Sequence, residues 1–256
     1  MKPLIAAGVL LIAAGCATTT NEPAYAPSGG QDTDAQARAR IHTELAAGYL
    51  ELGNYGVALQ EAAEALKSVP NYTSALNVLG LIYMDLHDDP AAENSFQRAL
   101  RVSPLDSDAN HNYGTFLCRR KREKESIKYF LAALRNPLYA TPEKSWINAG
   151  VCARQAGDTG AAEEYFQKAL KLRPAQPQAL YQMADLAYRR KNYPAAKAFL
   201  DRRPTDAEPG ADVLWLALRI ERSLGNRNAE ASLGFQLRRN FPDSPEALAL
   251  RTGQYE

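Results

Sequence analysis

The chain has 256 residues, 46% of them hydrophobic and 23% charged, a balance too apolar for a disordered polypeptide and sufficient to bury a core. Thirty basic against 29 acidic residues leave a formal charge of +1, which excludes a general field for nucleic acid or anionic lipid. The three cysteines, Cys16, Cys118 and Cys152, are too few and too widely spaced for a dense disulfide framework or a structural zinc site.

At the amino terminus, Lys2 precedes an apolar run from Leu4 to Ala14 that is too short to span a bilayer and matches the core of a signal peptide. Small residues then lead to Ala13-Ala14-Gly15-Cys16. That ending resembles a lipobox, where a bacterial leader is removed and the new terminal cysteine acylated; a plain secretory leader with an incidental cysteine is the alternative. The resemblance makes residues 1–15 a signal peptide and Cys16 the lipidated terminus. Several acyl chains at roughly 0.8 kcal/mol per buried methylene give a permanent anchor. Ala17 stands where the inner-membrane retention signal has Asp, so the resemblance implies an outer-membrane protein facing the periplasm. Residues 16–36 carry Pro23, Pro27, Gly29 and Gly30 and almost no aliphatic side chains, the composition of a flexible tether.

From residue 37 a period dominates. Leu79-Gly80, Tyr83, Ala92, Phe96, Ala99 and Pro104 recur 34 residues earlier as Leu45-Ala46, Tyr49, Ala58, Ala65 and Pro70. They recur later as Tyr113-Gly114 with Phe130 and Ala133, then as Gly150, Ala162, Phe166, Ala169 and Pro174, after two extra residues near Asn136 to Pro142. The pattern resembles the tetratricopeptide repeat, a pair of antiparallel helices whose crossing needs small side chains and whose second helix ends at proline. It predicts an all-α, right-handed superhelical solenoid of six helix pairs over 37–256. The repeats fall near 39–72, 73–106, 107–142, 143–176, 177–210 and 211–244, the last two degenerate, followed by a C-terminal segment. One helix pair cannot bury its apolar face alone, so neighbours must stack.

In that repeat family the groove side includes offsets nine and twelve of each first helix. Here these are Ala47 and Leu50, Leu81 and Met84, Thr115 and Cys118, Val151 and Arg154, Asp185 and Tyr188, then Arg219 and Arg222. The groove therefore begins apolar and ends charged, and Ala47, Leu50, Leu81 and Met84 are the candidate partner-binding positions. A capping segment near Asp34 to Arg40 could instead cover it.

No metalloprotease, serine-hydrolase, phosphate-loop, dinucleotide or CxxC motif is present, so no catalytic residue, metal ligand, cofactor or small-molecule substrate is expected. Asp85, Asp88 and Asp89 mimic a calcium loop, but Pro90 stands where such a loop needs glycine. None of His42, His87 and His111 has a carboxylate or cysteine at a spacing that suggests ligation. The runs Arg119-Arg120-Lys121-Arg122 and Arg189-Arg190-Lys191 fall at matching turns and read as solvated. Cys118 and Cys152, 34 residues apart near the ends of adjacent first helices in an exported protein, are expected to form a disulfide; two buried free thiols are the alternative.

Lipobox, tether, six repeats and the two cysteines in the third and fourth repeats together resemble the PilF/PilW family of type IV pilus biogenesis lipoproteins. The resemblance implies a pilotin, a scaffold that binds the secretin PilQ and promotes its outer-membrane localisation and multimer assembly. An adaptor for β-barrel assembly or for cell-wall hydrolases is the other reading of the same features.

Overall fold

The computed structural model describes residues 33–206 and 208–255. The leader 1–15, Cys16 and residues 17–32 of the tether lie outside the described residues. Thirteen helices are described, with no strand among them. Six antiparallel pairs follow in chain order: α1 (Asp34–Glu51) with α2 (Tyr55–Ser68), α3 (Thr73–Asp85) with α4 (Asp89–Val102), and α5 (Ser107–Arg119) with α6 (Glu123–Ala133). Then come α7 (Pro142–Gln155) with α8 (Thr159–Leu172), α9 (Pro177–Arg189) with α10 (Tyr193–Leu200), and α11 (Ala211–Ser223) with α12 (Arg227–Asn240). A last helix, α13 (Pro245–Thr252), packs on α11 and α12.

Local chemistry sets these boundaries. Asp88, Asp106, Asp158, Asn192 and Ser244 each accept a hydrogen bond from the backbone N–H of the third residue of the helix they precede, satisfying a donor that has no partner within the helix. The turn within each pair contains one residue with left-handed backbone, Gly53, His87, Lys121, Gly157, Lys191 or Gly225 in turn. Three are glycines, for which this conformation carries no Cβ clash; the other three accept it at some strain.

The start of α1 corrects the tether boundary. Asp34, Ala35 and Gln36 form its first turn, because the Thr33 side chain accepts from the Gln36 amide while the Gln36 side chain accepts from the Thr33 amide. Residues 34–40 are therefore the beginning of the first repeat and not a separate segment laid over a groove.

Each first helix packs on the next first helix, α1 on α3 through to α9 on α11, whereas among the described residues no second helix packs on another. The first-helix side is thus the more closely spaced, inner side of the stack. Where paired helices cross, a glycine faces a ring. A Cβ on Gly80 would lie 2.6 Å from the Phe96 ring, one on Gly150 would lie 2.5 Å from Phe166, and one on Gly114 would lie 3.0 Å from Phe130.

Candidate protein-binding surfaces

The inner side carries a ladder of polar contacts between successive first helices. Asn112 Nδ2 donates to Asn77 Oδ1 at 3.1 Å, His111 Nδ1 lies 2.8 Å from Ser145 Oγ, and Asn148 Nδ2 donates to Thr115 Oγ1 at 3.3 Å. Burial, and secondarily the Lys144 ammonium, push the His111 imidazole down to about 4, so it is neutral near pH 7. Further along, Arg154 and Arg189 both donate to the buried Asp185 carboxylate, at 2.7 and 2.8 Å. The Arg219 guanidinium lies 4.8 Å above the Tyr188 ring, and that of Arg222 lies 3.9 Å above Tyr255. The charged end of the groove is therefore largely occupied by its own internal pairs.

Cys118 and Cys152 sit in the same ladder and are joined as a disulfide between α5 and α7, with Cα atoms 5.9 Å apart. Beside the bridge opens a cleft of about 540 Å³, lined by Thr115, Asn148, Val151 and Phe130 with Arg119, Lys121, Glu123 and Gln155 around it.

The four apolar positions read as a groove are not an open surface. Met84 is buried, 7% exposed, among Ala92, Phe96, Tyr113, Phe116 and Leu117, and half-buried Leu81 packs on the same cluster. Ala47 and Leu50 pack against Ala46, Ala58, Ala62, Val78 and Ile82. The reason is steric: in the first two repeats the neighbouring helices close over these offsets, with Ala58, Ala62, Val78 and Ile82 around Ala47 and Leu50, and Phe96, Tyr113 and Phe116 around Leu81 and Met84. The apolar surface at this end lies elsewhere on α1. Ile41 and Leu45 of α1 and Leu52, its C-cap, are 49%, 44% and 79% exposed, and with Gly48 they fall at a helical spacing that the αR backbone of Leu52 continues, which places them on one face. Among the described residues α1 packs on α2 and α3, and no repeat stacks on that face. Sequence reasoning missed it, although the spacing of Ile41, Leu45, Gly48 and Leu52 was a signal that could have found it.

The histidines also differ from the sequence expectation in one respect. The α1–α2 pairing brings the Glu61 carboxylate to 2.6 Å from His42 Nδ1, a partner 19 residues away that no local spacing reveals. His87 occupies one of the left-handed turns.

Stacked helix pairs with a polar inner ladder and an apolar open end define a protein-binding repeat scaffold. Tetratricopeptide-repeat family models match residues 43–92, 79–140 and 153–219, which together cover most of the chain. The type IV pilus assembly protein PilF of Pseudomonas aeruginosa is 30% identical over 244 residues, spanning 94% of this chain and 95% of that protein. The chain belongs to the PilF family of tetratricopeptide-repeat proteins. A solved structure of P. aeruginosa PilF superposes with a TM-score of 0.79 at 28% identity, covering 86% of this chain and all of that one. The structure of PilW, a widely conserved type IV pilus biogenesis factor, superposes with a TM-score of 0.75 at 34% identity, covering 83% and 97% of the two chains.

Proposed function

We propose that the protein is a type IV pilus biogenesis scaffold that acts as a pilotin, binding the secretin PilQ and promoting its localisation and multimer assembly in the outer membrane. The observation that carries this reading is the near full-length match to PilF, with PilW as a second relative of the same architecture. In this account residues 1–15 are removed, Cys16 is acylated, and the lipid holds the solenoid at the outer membrane, facing the periplasm. Work by binding needs no reacting group: a lipid-anchored scaffold carries its bound subunit wherever it is sorted, and clustering raises the effective concentration of subunits for assembly.

The surface assigned to the secretin is the α1 face of Ile41, Leu45 and Leu52. Three large aliphatic side chains left open at the end of a repeat array mark a contact surface, since terminal repeats otherwise present polar faces to water. A Leu45→Glu or Leu52→Glu change buries a charge against the partner while touching little of the fold. Each should weaken binding of purified secretin periplasmic domains by about 2 kcal/mol, roughly thirtyfold, with the helical circular dichroism retained. Leu81→Glu and Met84→Glu should instead lower the melting temperature, because those side chains lie in the stack. Folded Leu45→Glu and Leu52→Glu proteins that bind the secretin normally would remove the α1 face from the account.

A further inference from the structure

The cleft over the disulfide is remote in sequence from the α1 face and is built differently. Half-buried Val151 and the Cys118 end of the Cys118–Cys152 bridge give it an apolar floor, with Phe130 buried behind them, and the side-chain amides of Asn148 and Gln155 stand beside that floor. At about 540 Å³ it has room for one large side chain and the backbone around it. The basic run at its mouth is divided in a regular way. Arg120 is tied to Asp89, and Arg122 donates to Glu93 at 2.8 Å and to Glu125 at 2.9 Å. The alternate members, Arg119 and Lys121, are exposed, line the cleft, and among the described residues have no carboxylate within ion-pair distance. Against these two cations the cleft holds one carboxylate, Glu123. The Lys121 amide donates to the Cys118 carbonyl at 3.0 Å, so the turn carrying this cation is fastened to the helix that carries the bridge.

We propose that this cleft is a second protein-binding subsite, which takes an apolar side chain of a partner segment flanked by carboxylates. The apolar side chain lies on Val151 and the Cys118 end of the bridge, the carboxylates face Arg119 and Lys121, and the amides of Asn148 and Gln155 bond the segment's backbone. Charge complementarity selects the occupant: an apolar floor alone would accept any hydrophobic peptide, whereas two unpaired cations at the rim favour an acidic one and disfavour a basic one. Fixed on the disulfide, the subsite is pre-organised, which lowers the ordering cost of binding.

The test uses the full chain, isotopically labelled, and three short peptides: Ser-Glu-Asp-Leu-Glu-Asp-Ser, the same peptide with Lys for every acidic residue, and the same acidic peptide with Ser for Leu. Resonance shifts on titration read weak binding directly. The acidic leucine peptide should shift Thr115, Asn148 and Val151 in a saturable way and bind at least tenfold more tightly than either control, with affinity falling as salt rises. Arg119→Glu combined with Lys121→Glu should abolish saturable binding, Arg119→Gln with Lys121→Gln should weaken it about tenfold, and Leu52→Glu should leave it unchanged. Absence of saturable shifts at the cleft, equal binding of the lysine peptide, or unaltered affinity in the folded charge-reversal protein would overturn the proposal. Concentration-dependent shifts at the cleft without peptide would also overturn it, by making a second copy of the chain the occupant. None of these readouts involves the secretin, so the subsite and the pilotin reading stand or fall separately.

Discussion

Between the two helices of a repeat, residues 16 apart meet at the crossing point, and in most repeats one is large and the other a glycine. The second, third and fourth repeats pair Gly80 with Phe96, Gly114 with Phe130 and Gly150 with Phe166. The sixth inverts the order, with Leu218 against Gly234, and the first has two small buried residues, Ala46 and Ala62, at the corresponding positions. Gly150→Ala should therefore destabilise the protein by about 1–3 kcal/mol, the range for overpacking a filled site, and Phe166→Leu in the same chain should recover part of that loss. Urea denaturation of the two single variants and the double variant checks it; additive losses would show that the two positions do not share a crossing. The Gly–Phe pairs were legible as a recurring motif, but the inverted sixth pair was not, because a pattern of residue identities at fixed offsets does not reveal which of two crossing residues is the small one. His111 gives a pH effect at the same scale. Its folded value of about 4 lies below the ordinary 6.5 of an unfolded imidazole, so the stability it contributes is fully present above pH 6.5 and is lost as pH falls toward 4. Over that window the urea midpoint of the native chain should fall more steeply than that of His111→Gln. Parallel curves would mean that the buried imidazole is not the source.

At the scale of elements, the junction of α5 and α7 is where the period slips, since the third repeat contains two extra residues before Pro142 and the disulfide bridges the same junction. A 34-residue loop closed by a bridge restricts the unfolded chain by an amount on the order of 3 kcal/mol. Cys118→Ser with Cys152→Ser should thus lower the melting temperature, and denatured, unreduced native protein should show no titratable thiol from this pair. Two thiols, or an unchanged melting curve on reduction, would contradict the bridge or its role. Repeat boundaries were largely legible because capping residues and prolines act locally: first helices start at Thr73, Ser107, Pro177 and Ala211, where the period places them. Groove positions were less so. Offset twelve is buried as Met84, walled in by Tyr113 and Phe116 of the next first helix, yet lies beside an open cleft as Cys118. An offset names a direction on a helix and says nothing about the bulk of the neighbour that meets it.

Over the whole molecule, a formal charge of +1 conceals a division. Residues 33–106 hold 10 acidic and 5 basic side chains, and residues 107–176 hold 7 acidic and 12 basic ones. The first two repeats thus present an apolar face in an acidic setting, and the next two present a cleft in a basic one, which allows two partner segments of different chemistry on one scaffold. Stability in such an array is close to a sum over repeats and their interfaces, so changes at the α1 face should leave the cleft folded, and the reverse. In the proposed pilotin role, the α1 face holds the secretin for assembly in the outer membrane. Its most direct test is the amount of heat-stable PilQ multimer in outer-membrane fractions from cells that express the native protein or Leu52→Glu, at matched protein levels and with folding verified. Full multimer is expected with the native protein, and a loss of most of it with Leu52→Glu. Native multimer levels with a folded, correctly localised Leu52→Glu protein would contradict it.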